Sequence, residues 1–225
     1  MSEVGRKRVA VLVSGRGTNM TALIEAAKDP AYPAGIVRVI SNRPEAKALE
    51  TAGKAGIATS VVDHRTFDSR QAHEAALGDV LAREAPDIIC LAGYMRILTG
   101  DFVRRYAGRM LNIHPSLLPA FPGTDTHERA LAAGVRIHGA SVHFVTEGVD
   151  EGPVIAQAAV PVLPSDDAGA LAARVLAAEN RLYPHALRLV AGGAAKLAEG
   201  RVVLAGGPVA APGEALFSPP LGNLP

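Results

Sequence analysis

Three polar side chains suited to acyl transfer lie beside apolar stretches of the sequence: Asn112, His114 and Asp150. On an extended strand, residues two apart point to the same face, so the Asn112 amide and the His114 imidazole can reach one reacting centre. Pro115 has no backbone N–H and favours an extended His114, which predicts an imidazole at a strand end, facing a ligand crevice. An amide can donate to a developing oxyanion, and a carboxylate can stabilise an imidazolium and orient its ring. The trio therefore predicts acyl chemistry with proton transfer.

Other interpretations of these residues remain open at this point. A lone histidine at a strand end is often structural, and Asp150 precedes Gly152-Pro153, where a simple turn residue would fit. Ser116 lies in no Gly-x-Ser-x-Gly motif, so serine-hydrolase chemistry is not predicted. Three further histidines are His127, His138 and His143. The sequence has no H-E-x-x-H motif, no cysteine partner and no compact ligand spacing, so we predict no metal site at these residues. His143 is as compatible with a structural as with a functional role.

A glycine loop, Ser-Gly-Arg-Gly-Thr-Asn at residues 14–19, follows an apolar run at 9–13 and precedes a helical pattern. Backbone N–H groups and the positive end of a helix dipole converge in such a loop, which favours a bound phosphate. Gly15 and Gly17 permit close approach, and Thr18 and Asn19 are expected to cap the helix and contact the anion. The loop lacks the lysine of a Walker motif and the third glycine of a dinucleotide fingerprint, which argues against NTP hydrolysis and NAD binding. A bare helix cap is the alternative.

Alternating apolar runs and helical patterns predict an α/β fold, Rossmann-like and doubly wound, with a mostly parallel sheet in the N-terminal half. In the C-terminal half, two closely spaced strands should pair antiparallel, and a long helix follows with possible interruptions at Asn180 and Pro184. The predicted strands are 9–13, 36–40, 59–62, 87–91, 110–113, 140–145 and 154–160, and the predicted helices are 45–53, 70–84, 101–106 and 168–190.

Composition predicts one catalytic domain over residues 1–204, followed by a Gly/Pro/Ala-rich tail at 205–225. A net charge of +1, with no Trp and few aromatic residues, argues against a nucleic-acid partner and favours small molecules. No stretch approaches the roughly 20 apolar residues that cross a bilayer, so we expect no membrane partner and a cytoplasmic location. The single cysteine, Cys90, lies in an apolar run and should be a buried, inert thiol. A monomer and a homodimer both remain open.

Five ordered motifs between residues 8 and 204 resemble the folate-dependent phosphoribosylglycinamide formyltransferases of purine biosynthesis. They are the glycine loop at 14–19, Phe-Asp-Ser-Arg at 67–70, Leu-Ala-Gly-Tyr-Met-Arg-Ile-Leu at 91–98, Asn-Ile-His-Pro-Ser-Leu-Leu-Pro at 112–119 and Gly-Ala-Ser-Val-His-Phe-Val at 139–145. The resemblance implies a nucleotide-binding half at about 8–110 and a folate and catalytic half at about 111–204. It departs mildly at Arg16, at Tyr94, where Phe is also expected, and in the loop at 146–149.

The resemblance also implies roles for individual residues. Asn112, His114 and Asp150 would be catalytic, and 10-formyltetrahydrofolate would be the co-substrate, with no metal. The phosphoribosylglycinamide would be bound by Gly17, Thr18 and Asn19 at its phosphate, and near its ribose and amine by Leu176, Ala177, Ala178 and Glu179. The folate would be bound by Arg70, Met95, Arg96, Ile97, Leu98, Asn112, Thr146, Glu147, Gly148, Val149 and Asp150.

Competing enzyme functions are hydrolysis of 10-formyltetrahydrofolate and formyl transfer to methionyl-tRNA or to a nucleotide sugar. A hydrolase of this type is expected to carry an N-terminal regulatory domain and a tRNA enzyme a basic C-terminal domain, and the sequence predicts neither. A non-catalytic nucleotide-binding module, in which the glycine loop matters and His114 does not, is the alternative from a different class.

Overall fold

A seven-stranded sheet forms the centre of the computed structural model, which describes residues 5–205. Its strand order is β3-β2-β1-β4-β5-β6-β7. The first five strands pair in parallel, and β6 and β7 are antiparallel to their neighbours. The strands are β1 Lys7–Val13, β2 Ala34–Ser41, β3 Thr59–Val61, β4 Ile88–Leu91, β5 Met110–His114, β6 Ile137–Phe144 and β7 Val154–Pro161. The predicted mostly parallel sheet with added antiparallel strands is confirmed.

Helices cover both faces of the sheet, as a parallel sheet with two buried faces requires. On β1, Val9, Val11 and Val13 pack on one face with α1 and α6, whereas Ala10 and Leu12 pack on the other with α3 and α4. The helices are α1 Thr18–Ala27, α2 Lys47–Lys54, α3 Arg70–Glu84, α4 Gly100–Arg105, α5 Thr126–Ala132 and α6 Ala168–Ala191, and a hairpin of β8 Ala195–Ala198 and β9 Arg201–Leu204 follows. None of the described helices is long and apolar enough to span a membrane.

The long helix α6 runs through Pro184 without a break, so the expected interruptions at Asn180 and Pro184 are wrong. A proline inside a helix costs about 3 kcal/mol because it removes one backbone donor. Hydrogen bonds at Pro184 and at the residue before it hold the helix to neighbouring segments. The Tyr32 hydroxyl donates to the Pro184 carbonyl at 2.7 Å, and the Tyr183 hydroxyl lies 3.0 and 3.1 Å from the carbonyl oxygens of Leu91 and Leu111. The packing of α6 on the sheet outweighs the unfavourable free energy of a proline inside the helix.

Cys90 lies in the middle of β4 with none of its surface exposed. Burial raises the pKa of its thiol to about 12, so the group is protonated at physiological pH. The prediction of a buried thiol is confirmed. The tail predicted at 205–225 lies, after Ala205, outside the described residues.

Candidate active site

The side chains of Asn112, His114 and Asp150 meet at the end of β5. Asn112 Nδ2 lies 3.5 Å from Asp150 Oδ1, and His114 Nδ1 lies 3.3 Å from Asp150 Oδ2. The His114 side chain is 7% exposed and that of Asp150 is 11% exposed, so little water screens the pair. Strand β5 ends at His114, directly before Pro115, and its two-residue spacing brings both polar groups to one carboxylate. The structure thus brings together the three residues singled out by their types and spacing.

His114 has a hydrogen-bond acceptor at each of its ring nitrogens. Nε2 donates to the Phe121 carbonyl at 3.0 Å, and Nδ1 faces the Asp150 carboxylate. Neither a carbonyl nor an ionised carboxylate can donate a hydrogen bond, so a proton on either ring nitrogen has an acceptor in this geometry. The Gly123 N–H donates to Asp150 Oδ2 at 2.9 Å. The backbone of residues 121–123 therefore orients both members of the pair.

His143, for which the sequence left structural and functional roles equally open, is also a member of the cluster. Its Nδ1 lies 3.0 Å from the Phe144 carbonyl, and its Nε2 lies 3.2 Å from Asn112 Nδ2 and 3.8 Å from Asp150 Oδ1. Burial lowers the pKa of His143, which favours the neutral ring. A neutral ring that donates from Nδ1 can accept from Asn112 at Nε2, which orients the amide. Asn112 and His143 are directly opposite in the β5–β6 register, and this pairing favours a role of His143 in the cluster.

The glycine loop leads into α1, as predicted, but Thr18 and Asn19 do not cap the helix. Gly17 is the N-cap residue, with φ of 78°, and no side chain bonds to the free N–H groups. A Cβ at Gly17 would lie 2.6 Å from the Ala48 Cβ, so glycine is needed both for the backbone conformation and for the close approach of α2. Thr18 is exposed at the first turn. The uncapped N–H groups at this turn can bind an anion.

Asn19 points into the protein, where it meets a residue from the other half of the chain. Its Nδ2 donates to Glu179 Oε2 at 3.0 Å, and both side chains are buried. Burial raises the pKa of Glu179, and the bond from Asn19 offsets part of this shift. This contact joins the two segments expected to bind the ribonucleotide. For the other three residues of segment 176–179, the described part of the structure shows no such contact with the glycine loop. Leu176 and Ala178 are half-buried, and Ala177 is exposed.

The expected folate residues lie mostly on two segments, 95–98 and 146–150, both of which adjoin α4. Glu147 forms an ion pair with Arg104 of α4 at 2.6 Å, and a Cβ at Gly100 would collide with the Glu147 carboxylate. Segment 146–150 therefore lies against the helix that directly follows segment 95–98. Three large apolar side chains on these segments are exposed, which leaves them free to contact a ligand: Met95 at 66%, Ile97 at 59% and Val149 at 49%.

The remaining expected folate residues differ in their surroundings. Arg96 and Leu98 are half-buried, and Leu98 packs on the core between the sheet and α3. Thr146 and Gly148 are half-buried in the connection between β6 and β7. Arg70 is exposed at the start of α3, and within residues 5–205 it is not brought into contact with the cluster around His114. Over the same residues, no group of three or more His, Cys, Asp or Glu side chains is arranged to hold a metal ion.

A family model described as formyl transferase matches residues 7–187 of the chain. The phosphoribosylglycinamide formyltransferase of Escherichia coli (strain K12) is 46% identical over 198 residues, which cover 88% of this chain and 93% of that protein. The trifunctional purine biosynthetic protein adenosine-3 of Bos taurus is 50% identical over 198 residues, and this chain spans 20% of its length. A crystal structure of phosphoribosylglycinamide formyltransferase from Brucella melitensis is 58% identical, with a TM-score of 0.81, and the match covers 84% of this chain and 97% of that one. The residues that the family model matches include every expected site position from Gly17 to Glu179.

Proposed function

The chain belongs to the formyl transferase family, and we propose that it transfers the formyl group of 10-formyltetrahydrofolate to the primary amine of phosphoribosylglycinamide. The products are the N-formyl ribonucleotide and tetrahydrofolate, in a step of purine biosynthesis. The observation that carries this proposal is the convergence of an amide and an imidazole at the end of β5, each within 3.5 Å of one carboxylate. The similarity to phosphoribosylglycinamide formyltransferases over most of the chain supports the choice of acceptor.

In the proposed reaction, the amine nitrogen attacks the formyl carbon and forms a C–N bond, which leaves negative charge on the formyl oxygen. One Asn112 N–H is held by His143, and the other has only the long 3.5 Å contact with Asp150, so it is the donor that the formyl oxygen can recruit. The His114 Nε2–H is occupied by the Phe121 carbonyl, so His114 can donate to the oxyanion once that bond is exchanged. Donors placed in a water-poor site stabilise such charge strongly.

Collapse of the tetrahedral centre breaks the bond between the formyl carbon and N10 of the folate. The proton lost by the amine is taken up at N10, and in our proposal the His114–Asp150 pair, directly or through a water molecule, carries it. Asp150 orients the His114 ring through its contact with Nδ1. Two substrates placed side by side can react directly, so no covalent enzyme intermediate is needed.

We assign the ribonucleotide to the face formed by α1 and α6, with its phosphate at Gly17, Thr18 and Asn19 and its ribose and amine near Leu176–Glu179. The uncapped N–H groups of α1 and the buried contact of Asn19 with Glu179 support this placement. We assign the folate to segments 95–98 and 146–150 together with Arg70 and Asn112. The exposed apolar side chains of Met95, Ile97 and Val149 support it, because a flat heterocycle needs apolar walls.

We further propose that the protein works in the cytoplasm on small molecules, as a monomer or a homodimer and without a nucleic-acid partner. The near-neutral charge of +1 and the single cysteine support this setting.

A turnover assay with and without phosphoribosylglycinamide tests the reaction. We expect tetrahydrofolate to form only when the ribonucleotide is present, and equal turnover without it would assign hydrolysis instead. We expect His114→Ala to lose turnover while both ligands still bind, which would also reject a non-catalytic binding module. His185→Ala is the matched control, because His185 is exposed on α6. Formyl transfer at the original rate by His114→Ala would reject the catalytic assignment.

A further inference from the structure

Ser14 lies between the two segments that we assign to the two substrates. It follows β1 directly and precedes Gly15, the first glycine of the loop that leads into α1. The residue is 4% exposed, so its hydroxyl is shielded from solvent and must find its partners inside the protein. None of the steps proposed for formyl transfer uses it.

Among residues 5–205, Ser14 makes three hydrogen bonds, two of them to the segment that follows β4. Its N–H donates to the Gly93 carbonyl at 3.1 Å, and its hydroxyl accepts from the Met95 N–H at 2.8 Å. The hydroxyl proton goes to Asn42 Oδ1 at 2.6 Å, and Asn42 is 1% exposed. A hydroxyl has one proton and two lone pairs, so this pattern leaves its donor fully used and its direction fixed.

The segment 93–99 is anchored at its far end as well. The Glu74 carboxylate accepts from the Thr99 N–H at 2.8 Å and from the Thr99 hydroxyl. Between the two anchors, Met95 and Ile97 are the exposed side chains assigned to the folate. A change at Ser14 therefore alters where the Met95 end of the segment lies, while the Thr99 end stays in place.

The glycine loop is tied to the same neighbours. The Gly15 carbonyl accepts from the Ala48 N–H at 3.1 Å, and Gly17 packs on Ala48. Because a bound phosphate takes up free N–H groups of this loop, it fixes the loop backbone directly beside Ser14. Any restriction of the Ser14 side chain then passes directly to Met95 through the hydroxyl, beside the backbone bond from Ser14 to Gly93.

We propose that Ser14 is a positioning residue that couples the two substrate sites, so that a ribonucleotide on the glycine loop tightens folate binding at segment 95–98. This inference rests on the proposed function, because it concerns both substrates of that reaction. Coupling of this kind is reciprocal, so bound folate must tighten the ribonucleotide by the same factor. The route is a contiguous set of hydrogen bonds, which is a physical basis for coupling rather than mere proximity.

Calorimetric titration with phosphoribosylglycinamide and tetrahydrofolate tests the coupling, because the folate product carries no formyl group and the pair cannot react. In the unmodified protein we expect the ribonucleotide to tighten tetrahydrofolate binding by about 5-fold or more, the lower end of typical coupling. In Ser14→Ala, which keeps the backbone bond to Gly93 and loses both bonds of the hydroxyl, we expect this factor to fall towards one, while each ligand alone still binds. Ser41→Ala is the matched control, because Ser41 is a buried serine at the end of the neighbouring strand. Within the described part of the chain its hydroxyl bonds only locally, to Arg43.

A second readout follows the segment itself. We expect the ribonucleotide to slow hydrogen exchange of backbone amides in residues 93–98 of the unmodified protein, and to leave that exchange unchanged in Ser14→Ala. Asn42→Ala removes the acceptor that directs the Ser14 hydroxyl, and it provides the same two measurements if Ser14→Ala does not fold. A coupling factor of one in the unmodified protein, or an undiminished factor in both variants, would overturn the inference. Failure of the proposed function is a different result, since the unmodified protein would then not bind the ligands or not turn them over.

Discussion

At the scale of single residues, Asp150 has the backbone conformation that makes its replacement informative. Its φ is +57°, in the left-handed region that Asn and Asp tolerate better than other side chains. Asn at this position keeps the backbone and the side-chain shape and removes only the negative charge. Ala would add backbone strain to the loss of the charge, and the two effects could not be separated.

We predict that Asp150→Asn lowers kcat by about 10²- to 10⁴-fold, the usual contribution of a positioned acid or base. The KM values of both substrates should change far less, because Asp150 acts mainly on the charged imidazole. Steady-state kinetics with both substrates varied measures the two effects. A variant with raised KM values and an intact kcat would show that Asp150 binds a substrate instead.

His138 is the residue whose burial makes stability depend on pH. It is 1% exposed, and its ring packs at a centroid distance of 5.3 Å from His127 and 5.8 Å from Phe121. Burial and the nearby His127 lower the pKa of His138 to about 4, although a hydrogen bond with the Pro115 carbonyl opposes the shift. Within residues 5–205, His138 Nε2 and His127 Nδ1 are buried without a hydrogen-bond partner, so an added proton would find no acceptor there.

We predict that the free energy of unfolding falls by about 2 kcal/mol between pH 7 and pH 5 through His138 alone. The unfolded chain binds a proton near pH 6.5 and the folded protein only near pH 4, so stability is full above that window and is lost as the pH falls through it. Urea unfolding at the two pH values measures the loss. His138→Phe keeps an aromatic ring that cannot titrate, and an unchanged pH dependence in this variant would contradict the assignment.

At the scale of elements, a negative charge placed at the N-terminus of α1 should affect helix stability and ligand binding in opposite directions. An acidic residue in the first turn stabilises a helix by about 0.3–1 kcal/mol, because it opposes the positive end of the dipole. The same charge repels a phosphate on the free N–H groups. At Thr18, which is exposed, the two effects therefore have opposite signs.

We predict that Thr18→Asp weakens binding of phosphoribosylglycinamide by about 10-fold or more, which corresponds to about 1.4 kcal/mol of repulsion. The unfolding temperature should stay the same or rise. Calorimetric titration and thermal unfolding measure the two quantities, and Thr18→Asn is the uncharged control. An affinity equal to that of the control would show that the phosphate binds elsewhere.

The elements themselves were largely predictable, because their signals are local. The run of β-branched residues before the glycine loop, and the repeated alternation of such runs with helical patterns, predicted the parallel sheet. The path of α6 through Pro184 was not predictable, since it depends on two hydrogen bonds between residues far apart in the sequence. The Tyr32 hydroxyl donates to Pro184, and the Tyr183 hydroxyl donates to Leu91. Asn19 looked like a helix cap because the sequence does not reveal its partner Glu179, which lies 160 positions away.

The candidate site was predictable only in part, for a related reason. The spacing of Asn112 and His114 is a property of one strand and can be read directly. The position of His143 depends on the register of β5 against β6. The acceptor for His114 Nε2 is a backbone carbonyl, and a backbone partner cannot be inferred from the type of residue that carries it. Contacts of this kind become visible only in three dimensions.

At the scale of the whole molecule, we propose that residues 1–204 form one domain, whose two halves share a core. Strands β4 and β5 pair across the expected division near residue 110. One core cluster contains Val11 from the first half together with Phe144 and Leu187 from the second. Neither half can bury these side chains alone.

We predict a single cooperative unfolding transition. The calorimetric and van't Hoff enthalpies should agree, and probes in the two halves should report the same midpoint. Differential scanning calorimetry of the whole chain measures this. Two resolved transitions would show that the halves are separate folding units.

The buried thiol of Cys90 has a practical consequence for following the enzyme at work. A protonated group with no exposed surface does not react with maleimide reagents, so a cysteine introduced on the surface would be the only one labelled. The sequence also contains no tryptophan, so one introduced indole would be the only indole fluorophore. Dyes placed near the two ligand segments could therefore monitor their separation during turnover without prior removal of any native group.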